Sequence, residues 1–594
     1  MKELCLNVLI VFSLMVSVMG FVSCSDDNNA GEMGLNSIGG DITITNAKIW
    51  TGDPQDPYKT SMTVMDGMIV AMDAETSTGR VIDAGGRLIV PGFWDGHTHP
   101  QTPYVLTSPG APTLFEADSV QKVQDILREY VEKHPEDTYP RLFGWTDGVF
   151  EGNSQPTRDL LDEIVPDKPC YLVHSSGHKH WTNTKALEVA GILESDPPDL
   201  AAGTIFRDEQ GLATGYLVET ELASTHGILL RSVKEQQPLT FETQVQLQQK
   251  ILEEYAQWGV TGIWTKDGDL DITQIYQQIL LEDNLPVRVI LDHLYTPYSK
   301  DGDIEMFAQR ANEIAGNPVY DGFLRADGIK IILDLPYHLW MHEAYNANGV
   351  PTTGHPLEDM DEVRRQIFEA DINGLSINVL TMGDRAVTEA LDVLEDVAAL
   401  NPPRTRSHTV EHAEWIKGSD LSRFDELGVV VVMNYMGSYP SDFIPYLEQV
   451  FGKERLKNRY QRLKDIVDAG AIVVQGSDFP LAHRDPMLGM HVMVNGTDLE
   501  GNPQGGLWPH KNISIEEALK TFTVNVAYTA NENNRFGKLK EGYAADFVIL
   551  SQDILDASFD PLELVKVKVS LTVFNGHVIY EDFGDTEKSV DYDL

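Results

Sequence analysis

Apolar residues follow two rhythms along this chain. From 41 to 90 they come as short alternating runs, ITITNAKIW, TVMDGMIVAMD and GRVIDAGGRLIV, broken by turns at Asp66-Gly67 and Gly85-Gly86. Successive side chains on a strand face opposite sides, so alternation between such turns predicts a small sheet. The same texture returns in GKLKEGYAADFVIL and SLTVFNGHVIY. The two ends, 41–90 and 536–594, are therefore expected to build one composite β-sandwich. Residues 91–535 read differently. After the strand that ends in HTH come VTGIWT (260–265), VRVILDHLY (287–295), IKIILD (329–334), LSINVL (375–380), SHTVEH (407–412), VVVVMN (429–434) and AIVVQGSD (471–478). Amphipathic helical stretches such as 361–370 and 386–400 lie between them. Near-continuous β-branched runs are the mark of strands buried on both faces. Eight of them alternating with helices predict an α/β fold, a (β/α)8 barrel of the TIM type. The stretch of about 101–240 is too long for one crossover and is expected to be an insertion roofing the active-site end.

The first residues form a different pattern. Lys2 precedes an almost unbroken apolar run from Leu6 to Val22, so 1–23 is expected to be an export signal, with a retained membrane anchor as the rival reading. Cys24 after Val22-Ser23 resembles a bacterial lipoprotein cleavage site. The following SDDNN resembles the acidic tether of Bacteroidetes lipoproteins. Residues 24–40 would then be a lipidated cysteine and linker. The expected location is the cell envelope, on the outer membrane through a lipid on Cys24, with the membrane face left open.

Charge narrows the partners. There are 91 Asp and Glu against 45 Lys and Arg, a formal net charge of −46. That argues against nucleic acid and against a basic patch for anionic lipid. Three cysteines imply no disulfide framework, and Cys170 is expected to be a small buried hydrophobe.

Barrel active sites lie at the C-terminal ends of the strands, so candidate chemistry is sought there. PGFWDGHTHP puts His97 and His99 two apart after a short apolar strand, with Asp95 beside them. Alternate residues on a strand share a face, and two imidazoles on one face are half of a first-row metal site. An isolated pair of this kind is more often two polar residues at a strand end. Here the other strand ends offer Lys330, then Glu411 with His412, then Asp478.

These residues sit in PGFWDGHTHP, QPTRDLLDEIVPDKP (155–169), SGHKHWTNTKALEVAGI (176–192), GTIFRDEQGLATGYLVE (203–219), IKIILD, MGDRAV (382–387), HTVEHA (408–413), GSDFPL (476–481) and LKEGYAADFVIL (539–550). Together the motifs resemble the metal-dependent amidohydrolase superfamily, in the amidohydrolase-3 branch that includes the N-substituted formamide deformylases. The resemblance implies a hydrolase that cleaves a C–N bond, amide or formamide, with metal-activated water. It implies His97, His99, His412 and Asp478 as metal ligands, and Asp478 as the acceptor of the water's proton. Lys330 matches the position where the family can carry a carbamylated lysine. Its rival reading is a buried lysine paired with a carboxylate. His178 occupies the family's Gly-His position and is expected either to polarise a substrate carbonyl or to brace the insertion. His180, Trp145 and Trp181 are candidates for the pocket roof. Trp94 and Trp264 are expected in the core. Asp384 and Arg385 are expected either to support the site or to be an ordinary helix start. Zinc is the expected ion, since the donors are imidazole and carboxylate and no redox step is needed.

One position departs from the family. Before Gly-Asp-Arg-Ala the family carries His-Ala-Ile, whereas this chain has Leu380-Thr381-Met382. Leucine cannot coordinate, and the nearby amide of Asn378 is a poor substitute. One ion is therefore expected rather than two. The rival functions are an envelope binding protein of the same fold that has lost hydrolysis, and a one-metal deaminase. The expected partner is a small amide-type molecule. Self-association as a homodimer stays open.

Overall fold

The computed structural model describes residues 34–584 apart from 37–38, 75–76, 153, 198–202, 221–226, 296–302, 348 and 435–442. The expected signal and Cys24 lie outside the described residues. No helix among the described residues is long and apolar enough to cross a membrane.

Eight parallel strands form the central sheet, in chain order around it: β1 (Phe93–Thr98), β2 (Val260–Gly268), β3 (Arg288–Leu294), β4 (Leu324–Ile332), β5 (Ser376–Thr381), β6 (Thr409–His412), β7 (Val430–Met433) and β8 (Val473–Gln475). All eight expected strands are present, and the fold is the expected barrel. Helices cover the outer faces. The helix Asp384–Leu400, for example, buries Val387, Leu391, Leu394 and Val397, which is why the strands read as apolar on both sides.

β1 and β8 meet where the barrel closes. Asp478 N–H donates to His97 O at 2.8 Å. Asp95 accepts from Ser477 N–H at 2.8 Å and from Ser477 Oγ–H at 2.5 Å. A Cβ at Gly476 would lie 2.4 Å from the His97 backbone nitrogen, so the seam requires glycine there. Asp95 is thus a tie between two strands.

The insertion has a fold the sequence did not reveal. Five strands pair in the order Thr204–Arg207, Ala213–Val218, Lys179–Thr182, Tyr171–His174, Arg141–Trp145. Adjacent residues feed opposite faces: Phe143 and Val173 enter one apolar core, while Leu142 and Leu172 enter the other. Trp145 and Trp181 belong to that second core with Cys170. The tryptophans are fully buried, and their indole N–H groups donate to Leu172 O and Thr157 O. They fill the insertion and do not line a pocket roof.

At the ends of the chain, a six-stranded sheet interleaves both termini. Lys48–Trp50 and Leu88–Pro91 sit beside Phe547–Leu550, Val569–Phe574 and His577–Glu581. A four-stranded sheet carries Ile42–Thr45, Met62–Met65, Met68–Met72 and Arg80–Asp83. Ile44, Val64 and Ile69 from the smaller sheet share one core with Ile89, Phe547 and Leu571 from the larger.

Candidate metal centre

The mouth of the barrel gathers the expected side chains. Donor atoms of His97, His412 and Asp478 all lie within 4.8 Å of one another. His97 Nε2 is 3.4 Å from Asp478 Oδ1, and His99 Nε2 is 3.1 Å from the same oxygen. The His97 ring centroid is 5.1 Å from that of His99 and 4.9 Å from that of His412. His97 and His99 do not project as alternate residues of one regular strand. Pairing steps two residues on β2, Ile263 to Thr265, against three on β1, Asp95 to Thr98. That irregularity re-aims side chains at the strand end, and His99 lies beyond the strand, its N–H bonded to Phe479 O at 2.9 Å.

His412 and Asp478 both have left-handed backbones, φ 60°, a region that non-glycine residues adopt uncommonly. Each lies where its strand breaks off, and the turn carries the side chain inward. His97 is fully buried, and neither ring nitrogen makes a hydrogen bond. Burial, followed by the charge of Lys330, holds His97 well below its usual range, and burial holds His412 at about 4. Both imidazoles are therefore neutral near pH 7, the form that binds a metal. Burial acts to raise the Asp478 pKa, but the hydrogen bond from His99 and the surrounding His412, His99 and Lys330 side chains outweigh it and keep the carboxyl below its usual range. Neutral imidazoles with an ionised carboxylate are a donor set suited to a first-row divalent ion. Asn434 Nδ2 lies 3.2 Å from His412 Nδ1. Turned over, the amide would present its oxygen to Nδ1–H and leave Nε2 for an ion.

Beneath this group lies a buried charged layer that the sequence reading missed in part. Lys266 Nζ is 2.8 Å from Asp292 Oδ2 and 2.8 Å from Glu411 Oε1. It also lies 3.8 Å above the Trp264 ring, and Trp264 N–H donates to Asp292 at 2.7 Å. Glu411 Oε2 lies 3.6 Å from His97 Nδ1 and 3.6 Å from Lys330 Nζ. Burial would raise the Glu411 pKa, but Lys266 and Lys330 lower it. Glu411 thus stands on the Nδ1 side of His97, beyond hydrogen-bond distance. Lys330 as an ammonium is a partner of Glu411; only as a carbamate does it become a ligand.

The other half of the mouth is apolar. Asp292, Lys330 and Asn378 point into the barrel, so the residues two further on, Leu294, Ile332 and Leu380, form the next layer above them on β3, β4 and β5. These three join one apolar cluster with Leu335, Leu339 and Met382. Asn378 is engaged below, accepting from Thr409 Oγ–H at 2.6 Å.

His178 reaches the site from the insertion. Its Nδ1 lies 2.7 Å from Glu219 Oε2. Burial works to lower its pKa, but Glu219 and then Asp478 outweigh that and raise it. His180 is fully buried beside Tyr171, its ring 5.9 Å away, and takes no part in the roof. Asp384 is a buried brace: it accepts from His342 N–H at 2.9 Å and from Arg459 at 2.5 Å. Arg385 stacks over Trp340 at 4.8 Å. Asp334, at the end of IKIILD, accepts the backbone N–H groups of Trp340, Met382 and Gly383 at 2.7–2.8 Å. The loop after β4 is thereby fixed to the turn after β5.

Comparison with known proteins gives the family and the fold. The profile of the amidohydrolase family matches residues 80–580. Protein LONG AFTER FAR-RED 3 of Arabidopsis thaliana is 26% identical over 530 residues, covering 87% of this chain and 88% of its own length. The N-substituted formamide deformylase of Arthrobacter pascens is 24% identical over 560 residues, 92% of this chain and 99% of its own. A metal-dependent hydrolase of Pyrococcus horikoshii superposes with a TM-score of 0.67 at 22% identity, over 87% of this chain and 98% of that protein, and shows the shared fold.

Proposed function

The chain belongs to the amidohydrolase family, and from that premise we propose that it hydrolyses a C–N bond of an amide or formamide with a single divalent ion. The observation that carries the reading is the convergence of His97, His412 and Asp478 within 4.8 Å around an imidazole whose nitrogens have no hydrogen bond. His97, His99, His412 and Asp478 would hold the ion, and zinc suits their chemistry. When bound, such an ion supplies a more acidic water and polarises a carbonyl. Asp478, kept ionised, takes the proton of the attacking water and passes it to the departing amine. His178 donates a hydrogen bond to the carbonyl oxygen as negative charge develops there. Leu294, Ile332 and Leu380 cover the opposite side of the mouth. There they exclude water and seat an apolar substituent of the substrate. Leu380 supports one ion over two. The leader and Cys24 support export and a lipid tether, which a lipid mass on Cys24 of the mature chain would confirm and a retained Met1 would contradict.

The test is hydrolysis of 4-nitroformanilide, a formamide with a chromogenic amine. Turnover should vanish on chelation, return with Zn²⁺, and fall at least about 10²-fold in Asp478→Asn, as expected for loss of a general base. Bound zinc without turnover on this compound or on a panel of N-acyl amines would favour the binding-protein reading instead.

A further inference from the structure

Glu219 is a buried carboxylate outside the metal centre. It follows the inserted strand Ala213–Val218 directly and is 1% exposed. Its backbone is left-handed, φ 58°, a conformation that glutamate seldom takes without a constraint around it. The constraint is visible in its contacts. Its N–H donates to His178 O at 2.8 Å, so the two residues are paired through the backbone. Its side chain pairs them again through Oε2 and His178 Nδ1 at 2.7 Å. The second oxygen, Oε1, accepts the N–H of Tyr337 at 3.1 Å, in the loop after β4. The turn before His178 is seated just as closely on the metal side. A Cβ at Gly177, φ 73°, would lie 2.8 Å from Leu481 Cδ2. Leu481 N–H is in turn bonded to Asp478 O at 2.8 Å. His178 is therefore held next to the strand end that carries Asp478, with 26% of its side chain still open.

We propose that Glu219 is the positioning residue for His178: it accepts from Nδ1–H, pairs with the ring as an imidazolium whose Nε2–H is left to donate to the substrate carbonyl, and ties that setting to the loop after β4. Two donors, His178 Nδ1–H and Tyr337 N–H, face its two oxygens. A glutamine offers one acceptor oxygen and an NH₂ group, so it satisfies only one of them. The inference rests on the reading of His178 under the proposed function.

The experiment uses the full chain with ¹⁵N-labelled histidine, loaded with zinc. Two-bond ¹H–¹⁵N spectra report the protonation of each ring, and His178→Ala identifies the His178 signals. In Glu219→Gln the Nδ1 signal of His178 should move or vanish while those of His97, His99 and His412 stay. On 4-nitroformanilide the same variant should lose about 10²-fold in kcat at unchanged KM, the size of one lost carbonyl donor. The double variant His178→Ala/Glu219→Gln should be no slower than His178→Ala. Should Glu219→Gln unfold, Glu219→Asp keeps both oxygens but withdraws them by one methylene, and it reads the same signal. An unmoved His178 signal, or a double variant much slower than His178→Ala, overturns the role of Glu219 alone. His178→Ala at the wild-type rate overturns that role and the reading of His178 together.

Discussion

At position 380 a leucine stands where the family resemblance implies a histidine, and its neighbours are apolar too. Leu380 packs with Leu294, Ile332 and Met382 in one apolar cluster, so an imidazole at 380 would have no imidazole or carboxylate among these neighbours with which to share an ion. Leu380→His should therefore leave bound metal at one equivalent. It should also destabilise the chain by about 1–3 kcal/mol, the cost of burying an imidazole without partners. Metal analysis and denaturant unfolding read the two outcomes, and a second bound equivalent would contradict the account. Single residues also mark how far the sequence could be read. His97, His412 and Asp478 were legible because they stand at ends of strands whose apolar runs are unmistakable. Lys266 was not, since a lysine after VTGIWT reads as a solvated strand end. Its burial is set by Asp292 and Glu411 from two other strands. Glu219 was hidden in the same way, with its partner 41 residues away.

The strands and loops that carry these side chains are placed by close backbone contact. The seam between β1 and β8 is the tightest case, because the β8 turn runs against the His97 backbone and a Cβ at Gly476 would lie 2.4 Å from its nitrogen. Gly476→Ala should push the two edges apart, costing about 1–3 kcal/mol of stability and weakening zinc affinity in the same variant. Gly148→Ala is the control, since the nearest atom to its Cβ would be 3.5 Å away, and it should change neither. Equal zinc affinity in Gly476→Ala and wild type would show that the seam does not set the site. The eight barrel strands could be read from sequence because helices bury their outer faces and make the runs apolar throughout. The five-stranded sheet of the insertion could not. Its strands are four to six residues long, and four of the five send residues into two separate cores, which blurs the amphipathic signal.

Across the whole molecule, the barrel and the terminal sheets are joined by a buried ion pair. Arg288, the first residue of β3, reaches Asp546, which precedes the strand Phe547–Leu550, with contacts of 2.6 and 3.1 Å. The guanidinium is also stacked 4.2 Å over Phe536. Removing one partner leaves a charge without compensation, so Asp546→Asn should cost about 3–5 kcal/mol in unfolding free energy. A loss below about 1 kcal/mol would mean the two parts are held by apolar contact alone. That both termini form one sandwich was legible from their shared texture. This ion pair was not, because it joins residues 258 positions apart. The central claim, a hydrolase built on one ion, is tested most directly by titrating the metal-free chain with Zn²⁺ while following 4-nitroformanilide hydrolysis. Activity should rise linearly and stop at one equivalent per chain. A break at two equivalents, or zinc uptake with no hydrolysis, would contradict it.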